Sequence, residues 1–393
     1  MASKLITGLA IMSLIILLLV LVLRRLNQPY FVAYIFAGIL LGPEFLAIFD
    51  RSDSITGIGE LGVVLLMFFV GAEIDLSALT RRFFRPLAAA LIQVGFSFLF
   101  IYLLSFYFGW NTKVVVLLSF IISLSSSAIV FQYLGKNNEM HTSLGLLAGS
   151  VLLLQDILVV PMMLILNITA GHAMPLLEIL KVCCGALFCV VFLWAAVARK
   201  MFRIPLMTEL GEDHDLQVFV GFLLCFGMAW ITWFFGLSPA LGAFMAGIFI
   251  GQDRSTHWLD NALTPFRVFF LAFFFISVGL QINIRFFAGN LLVIGALALG
   301  VLLINSLINA LVFRMTGQTW RDSVYAGALL SQIGEFSFVL VTLAKELGTV
   351  NESVHQITLA VIALTMMLST IWIKIIQAFI FKSATIIKLP LGK

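Results

Sequence analysis

Long apolar runs, interrupted by short polar and charged connections, occupy the chain from end to end. The runs lie near residues 5–23, 30–48, 58–74, 86–108, 114–134, 144–170, 176–198, 216–235, 238–252, 265–282, 288–313, 322–344 and 356–381. Crossing a bilayer upright takes about 20 apolar residues, so several runs are short for a full span, and 238–252 is the shortest. The pattern predicts an all-α polytopic membrane protein with thirteen transmembrane helices.

Polar residues inside two of the runs predict interruptions. Residues 122–130 read ISLSSSAIV, with Ser123, Ser125, Ser126 and Ser127 crowded together, and residues 331–338 read SQIGEFSF, with Gln332, Gly334 and Glu335 in an apolar span. Serine hydroxyls compete with the backbone for its hydrogen bonds. Irregular backbone survives at membrane depth only where protein or a wet cavity surrounds it. Packing of small residues between helices would explain the serines, but it does not require the acid at 335. Both runs are therefore expected to be discontinuous helices.

The two segments also belong to an internal echo. FAGILLG at 36–42 matches MAGIFIG at 245–251, VGAEID at 70–75 matches VGLQIN at 278–283, and LSSSAIVF at 124–131 loosely matches LSQIGEFSF at 330–338, at offsets of 209, 208 and 206. The order is kept and the offset is nearly constant. We read one transmembrane domain over 1–393, built from repeats of about 1–170 and 215–382 joined by a linker helix at about 176–202. A single linking span inverts the second repeat, an arrangement common in secondary transporters, whose sites lie near the midplane.

Composition agrees with the pattern. The chain of 393 residues is 62% hydrophobic and 11% charged, against about 25% charged in soluble domains. With the N-terminus outside, sixteen Lys and Arg fall in inner connections, among them Arg24, Arg25, Arg81, Arg82, Lys136, Arg314 and Arg321. Five fall outside: Lys4, Arg51, Lys113, Arg285 and Lys345. This positive-inside bias accounts for the net charge of +4 without a nucleic-acid partner. Arg24 and Arg25 follow the first run as a stop-transfer pair rather than a cleavage site. Cys183, Cys184, Cys189 and Cys225 show no metal or disulfide spacing, so no cofactor is expected.

The chemistry centres on VLLLQDILVVP at 151–161. An ionised carboxylate mid-membrane costs about 3 kcal/mol even on insertion scales. An architectural Asp156 would need a base, and no Lys or Arg lies mid-span in a neighbouring run. Burial disfavours the charged form of a carboxylate, so such a group holds a proton or a small cation in turn. Gln155, the hydroxyls of Ser125, Ser126 and Ser127, and carbonyls freed at the breaks supply oxygen ligands. One acid in the pair predicts one proton exchanged per cation.

The motifs AGILLGPE (37–44), GELGVVLLMFFVGAEIDL (59–76), LSSSAI (124–129), LLQDI (153–157), GLSPALGAFMAGIFIG (236–251), FFFISVGLQI (273–282) and SQIGEFSF (331–338) resemble those of the monovalent cation–proton antiporters, most closely the membrane domain of Kef-type bacterial potassium efflux proteins. The resemblance implies thirteen helices in two inverted repeats with two crossing broken helices, a homodimer, K⁺ or Na⁺ and H⁺ as substrates, and a bacterial inner membrane location. It makes Asp156 the exchanging, cation-binding carboxylate beside Gln155, and the Gln-Asp pair favours K⁺. The chain departs from the pattern twice. Asn305 stands where members often carry a base, which leaves Glu335 to balance the half-helix dipoles, and no cytoplasmic nucleotide-binding domain follows.

Other polar groups are read conservatively. His141, His172, His214, His257 and His355 are expected in exposed loops. GEDHD at 211–215 is read as a solvated turn, and 253–267 as a loop. Glu73 and Asp75 are expected to pair with Arg81 and Arg82, and the phenylalanines to face lipid or fill helix contacts. A cation channel using the same oxygens, a membrane-embedded hydrolase and a non-transporting sensor are the alternatives. The channel lacks a filter-like carbonyl run, and the hydrolase lacks a histidine mid-membrane.

Overall fold

The computed structural model describes residues 2–25, 28, 30–49, 53–72, 84–140, 142–170, 214–237, 239–251 and 257–386, with scattered positions between 180 and 195. All regular structure among these residues is helical. The helices are α1 (Ala2–Arg25), α2 (Tyr30–Leu41), α3 (Asp53–Ala72), α4 (Phe84–Phe108), α5 (Thr112–Ser123), α6 (Ser127–Lys136), α7 (Ser143–Thr169), α8 (His214–Phe234), α9 (Pro239–Gly251), α10 (His257–Gln281), α11 (Ile284–Gly289), α12 (Leu291–Met315), α13 (Trp320–Leu329), α14 (Phe336–Glu346) and α15 (Glu352–Ile386). Seven of them are long and apolar enough to cross a membrane. The chain is a polytopic membrane protein.

The chain divides into two compact units, each drawing on both halves of the sequence. The first comprises 1–22, 33–81 and 172–281, the second 23–32, 82–171 and 282–393. In the first, α3 packs on α9 and α10, and α8 packs on α9. Apolar side chains gain little from leaving lipid, so such helices associate through close packing, which small residues allow. Gly38 lies against the backbone of Ile276 and Gly279, and Gly71 against Phe244 and Ile248 beside Gly247. A Cβ at any of the four glycines would collide with facing backbone. These contacts join the echoed motifs crosswise: the AG of the first repeat meets the VG of the second, and the VG of the first meets the AG of the second.

In the second unit α6 packs on α7, α14 packs on α5, α7 and α15, α12 packs on α13 and α15, and α4 packs on α5 and α7. Its core combines Ala89 and Ala90 of α4, Val130 and Leu134 of α6, Ala148, Val151 and Leu152 of α7, Val312 and Phe313 of α12, and Leu329 and Leu330. Leu292, Leu303 and Leu307 on α12, and Phe106 and Tyr107 on α4, are exposed, which suits a face against lipid acyl chains.

Several expectations change here. Residues 257–267 are helical, not a loop, because Leu263 and Phe266 continue the apolar face of α10, with Leu263 wholly buried and Phe266 against the Phe222 ring; Pro265 sits inside that helix. His355 is not an exposed loop residue. It is buried in the first turn of α15. His214 and His257 open α8 and α10, so 214–215 is a helix start rather than a turn. His141, His172, Glu73, Asp75, Arg81 and Arg82 lie outside the described residues, as does most of the run at 176–198.

Candidate functional site

Two helix interruptions cross inside the second unit. The first separates α5 from α6: Leu124, at φ −90° and ψ 126°, and Ser126, at φ −76° and ψ 112°, are extended. Ser126 Oγ then accepts from the N–H of Ile129 at 3.3 Å and caps α6. The second separates α13 from α14 over residues 330–335.

Each interruption satisfies backbone groups of the other. The Gly334 N–H donates to the Leu124 carbonyl at 2.8 Å, Ser125 Oγ to the Leu330 carbonyl at 2.9 Å, and Ser337 Oγ to the Ile121 carbonyl at 3.1 Å. Gln332 Nε2 reaches the Ser126 carbonyl at 3.5 Å. In a bilayer the alternative is an orphaned polar group costing several kcal/mol. A Cβ on Gly334 would lie 2.6 Å from the Ser125 carbonyl oxygen, so the crossing requires glycine there.

The surrounding helices complete the hydrogen bonding. Gln155 Oε1 on α7 accepts from the Ser125 N–H at 2.9 Å, and its Nε2 donates to Gln93 Oε1 on α4. Asn309 Nδ2 on α12 donates to the Leu330 carbonyl at 3.1 Å and to the Asn305 carbonyl at 2.9 Å. Thr365 Oγ1 on α15 accepts from the Ile333 N–H at 3.3 Å.

Two carboxylates meet at this crossing. Asp156 is 5% exposed and Glu335 2%. The Ser127 hydroxyl, at the first position of α6, donates to Glu335 Oε1 at 3.2 Å and lies within hydrogen-bonding reach of Asp156, whose charge also senses Glu335. Asp156 Oδ2 is buried with no hydrogen-bond partner among the described residues. No Lys, Arg or His among those residues pairs with it; buried Asn305, neutral, has its own Nδ2 unpartnered. Positive potential comes instead from the N-terminal ends of α6 and α14, the start of each half-helix. Pro161, inside α7, has no N–H to donate to the carbonyl of Ile157, the residue after Asp156. No three His, Cys, Asp or Glu side chains cluster among the described residues. A cation here would rely on carboxylate, hydroxyl, amide and backbone oxygen, which is the chemistry of hard ions.

Asp156, Gln155, Ser125, Ser126, Ser127, Gln332, Gly334 and Glu335 are thus brought to one place, with Asn305 joined through Asn309. Gln155 was expected to offer its oxygen to a cation, and that oxygen is engaged by the backbone of the break. Glu335 was expected only to offset helix dipoles, and it shares a hydroxyl with Asp156. Gln93, Asn309 and Thr365 were missed. Gln93 and Thr365 are single polar side chains in apolar runs, and Asn309 lies four residues after Asn305; those positions were the available signal.

The fold and sequence have clear relatives. The iron transporter MagA of Paramagnetospirillum magneticum (strain ATCC 700264 / AMB-1) is 31% identical over 351 residues, which cover 89% of this chain and 81% of the relative. The structure of the sodium proton antiporter MjNhaP1 from Methanocaldococcus jannaschii at pH 8 superposes with a TM-score of 0.68 over 96% of this chain and 98% of that one, at 15% identity, so it shares the fold. The profile of the transmembrane sodium/hydrogen exchangers matches residues 11–378. The chain belongs to that family of cation–proton antiporters.

Proposed function

We propose that the protein exchanges a monovalent cation, K⁺ in preference to Na⁺, for H⁺ at Asp156, which is exposed alternately to the two sides of the membrane. The observation that carries this reading is a buried carboxylate oxygen with no hydrogen-bond partner among the described residues, set where two helix breaks cross. Its free valence is satisfied by a proton in one state and by a cation in the other. Two like charges in one dry pocket disfavour joint ionisation. With a monovalent ion bound and one negative charge on the pair, one H⁺ leaves per cation and exchange is electroneutral. The K⁺ preference rests on Gln rather than Asp at 155. The crosswise glycine contacts support two inverted repeats, and the Lys and Arg bias supports an outside N-terminus and a cytoplasmic C-terminus. Homodimer assembly in a bacterial inner membrane follows from family resemblance.

Proteoliposomes loaded with a pH-sensitive dye test the reading. Wild type dequenches on addition of K⁺, less with Na⁺ or Li⁺, saturably and without setting a membrane potential. Asp156→Asn removes the response. Equal exchange by Asp156→Asn would sink the assignment, and voltage-set current in place of saturable exchange would identify a channel.

A second reading is favoured by Glu335. Two carboxylates at one crossing match a divalent ion if both ionise, two protons then leaving per ion, and the relative named above is described as an iron transporter. Addition of Fe²⁺ or Mn²⁺ to the same vesicles separates the two: dequenching by these ions in place of K⁺ selects the divalent cargo.

A further inference from the structure

Gln93 has no part in the exchange as described, yet it is built into the site. It lies in the first half of α4, 1% exposed, and accepts from Gln155 Nε2 through its Oε1. The direction of this chain is set by chemistry. The Ser125 N–H can only donate, so Gln155 must turn its oxygen towards Ser125 and its NH₂ away. Whatever faces that NH₂ must accept. Gln93 does so from α4, a helix outside both breaks.

The consequence reaches the cation ligands. Ser125 holds three positions at once: its N–H is on Gln155, its Oγ is on the Leu330 carbonyl, and its own carbonyl abuts Gly334. A shift at Ser125 therefore moves both interruptions, and with them Ser127 and Glu335. We propose that Gln93 is a positioning residue that sets cation selectivity: by accepting from Gln155 it fixes the spacing of the oxygens around Asp156. This rests on Asp156 being the exchanging group. Because the spacing of oxygens, rather than their charge, separates ions of equal charge and different radius, loss of the acceptor weakens binding of the favoured ion most.

The test uses the full chain in proteoliposomes, with KM and kcat for K⁺ and Na⁺ measured for wild type, Gln93→Met and Gln93→Glu. Methionine keeps the volume and removes the acceptor; glutamate restores an acceptor oxygen. Outer partners of ion ligands typically change affinity by about tenfold or more. Gln93→Met is expected to raise KM for the preferred ion by about that factor, to raise KM for the other ion less, and to change kcat less than KM. Gln93→Glu is expected to return the KM ratio towards wild type. If Gln93→Met does not yield folded protein, Gln93→Asn, whose oxygen falls one methylene short, is read in the same way. Equal KM changes for both ions, no change, or failure of Gln93→Glu to restore the ratio in folded protein would each overturn the inference. Exchange surviving in Asp156→Asn would instead overturn the reading on which it rests. A silent Asp156→Asn beside a wild-type-like Gln93→Met removes this inference alone.

Discussion

At the scale of single residues, the site is held by groups that cannot be exchanged for near neighbours. Gly334 shows this most sharply. Its Cα faces the Ser125 carbonyl, and the 2.6 Å separation expected for a Cβ is resisted by backbone rather than by a side chain able to swing away. Gly334→Ala must push the two interruptions apart and loosen the bond from its own N–H to Leu124 O. Overpacking a tight interior of this kind costs about 1–3 kcal/mol. The expected outcome is a lower melting temperature in detergent together with lost exchange; a variant that melts and transports as wild type would show that the crossing is looser than drawn. The acid at 156 and its neighbour at 155 were legible because a polar pair in an apolar run has no structural excuse. Gln93 and Asn309 satisfied the same criterion, but amides carry no charge and stood far from any recognisable motif. Their role appears only when Ser125 and Leu330 are seen to need partners.

At the scale of elements, the informative feature is where helices stop. Serine crowding at 123–127 and the Gln, Gly and Glu of 332–335 pointed to both interruptions, and α5 ends at Ser123 while α13 ends at Leu329. What the run of residues could not reveal is that each interruption is completed by the other, through pairings 205 and 216 residues apart in sequence, and by α7, α12 and α15, which lie on separate helices. Residues 257–267 within the expected loop are helical for a related reason: the packing of Leu263 continues the helix from His257. The support that α15 gives the second interruption can be measured. Thr365→Val is nearly isosteric and removes the acceptor for the Ile333 N–H. An unsatisfied buried donor costs about 1–3 kcal/mol, so a lowered melting temperature is expected, while Thr365→Ser keeps the wild-type value. Equal melting of the valine and serine variants would mean that Ile333 finds another acceptor.

At the scale of the whole molecule, the orientation of the second unit in the membrane decides which bulk phase each end of the site meets. Lys136 closes α6 and is exposed, and Thr112 opens α5 and is exposed. The two helices follow each other through one span, interrupted at 124–126, so their outer ends should reach opposite faces. The orientation proposed from the excess of Lys and Arg in alternate connections has Lys136 inside and Thr112 outside, since basic connections near span ends are retained in the cytoplasm. Single-cysteine variants read this directly, in a background freed of the native cysteines, of which Cys184 is exposed. In intact cells a membrane-impermeant thiol reagent is expected to label Thr112→Cys at once, and Lys136→Cys only after permeabilisation. The reverse order would invert the proposed orientation and exchange the two sides to which the proposed exchange at Asp156 opens. Labelling of both positions from one side would mean that α5 and α6 form a re-entrant hairpin, and the two interruptions would then not sit at the midplane of a full crossing.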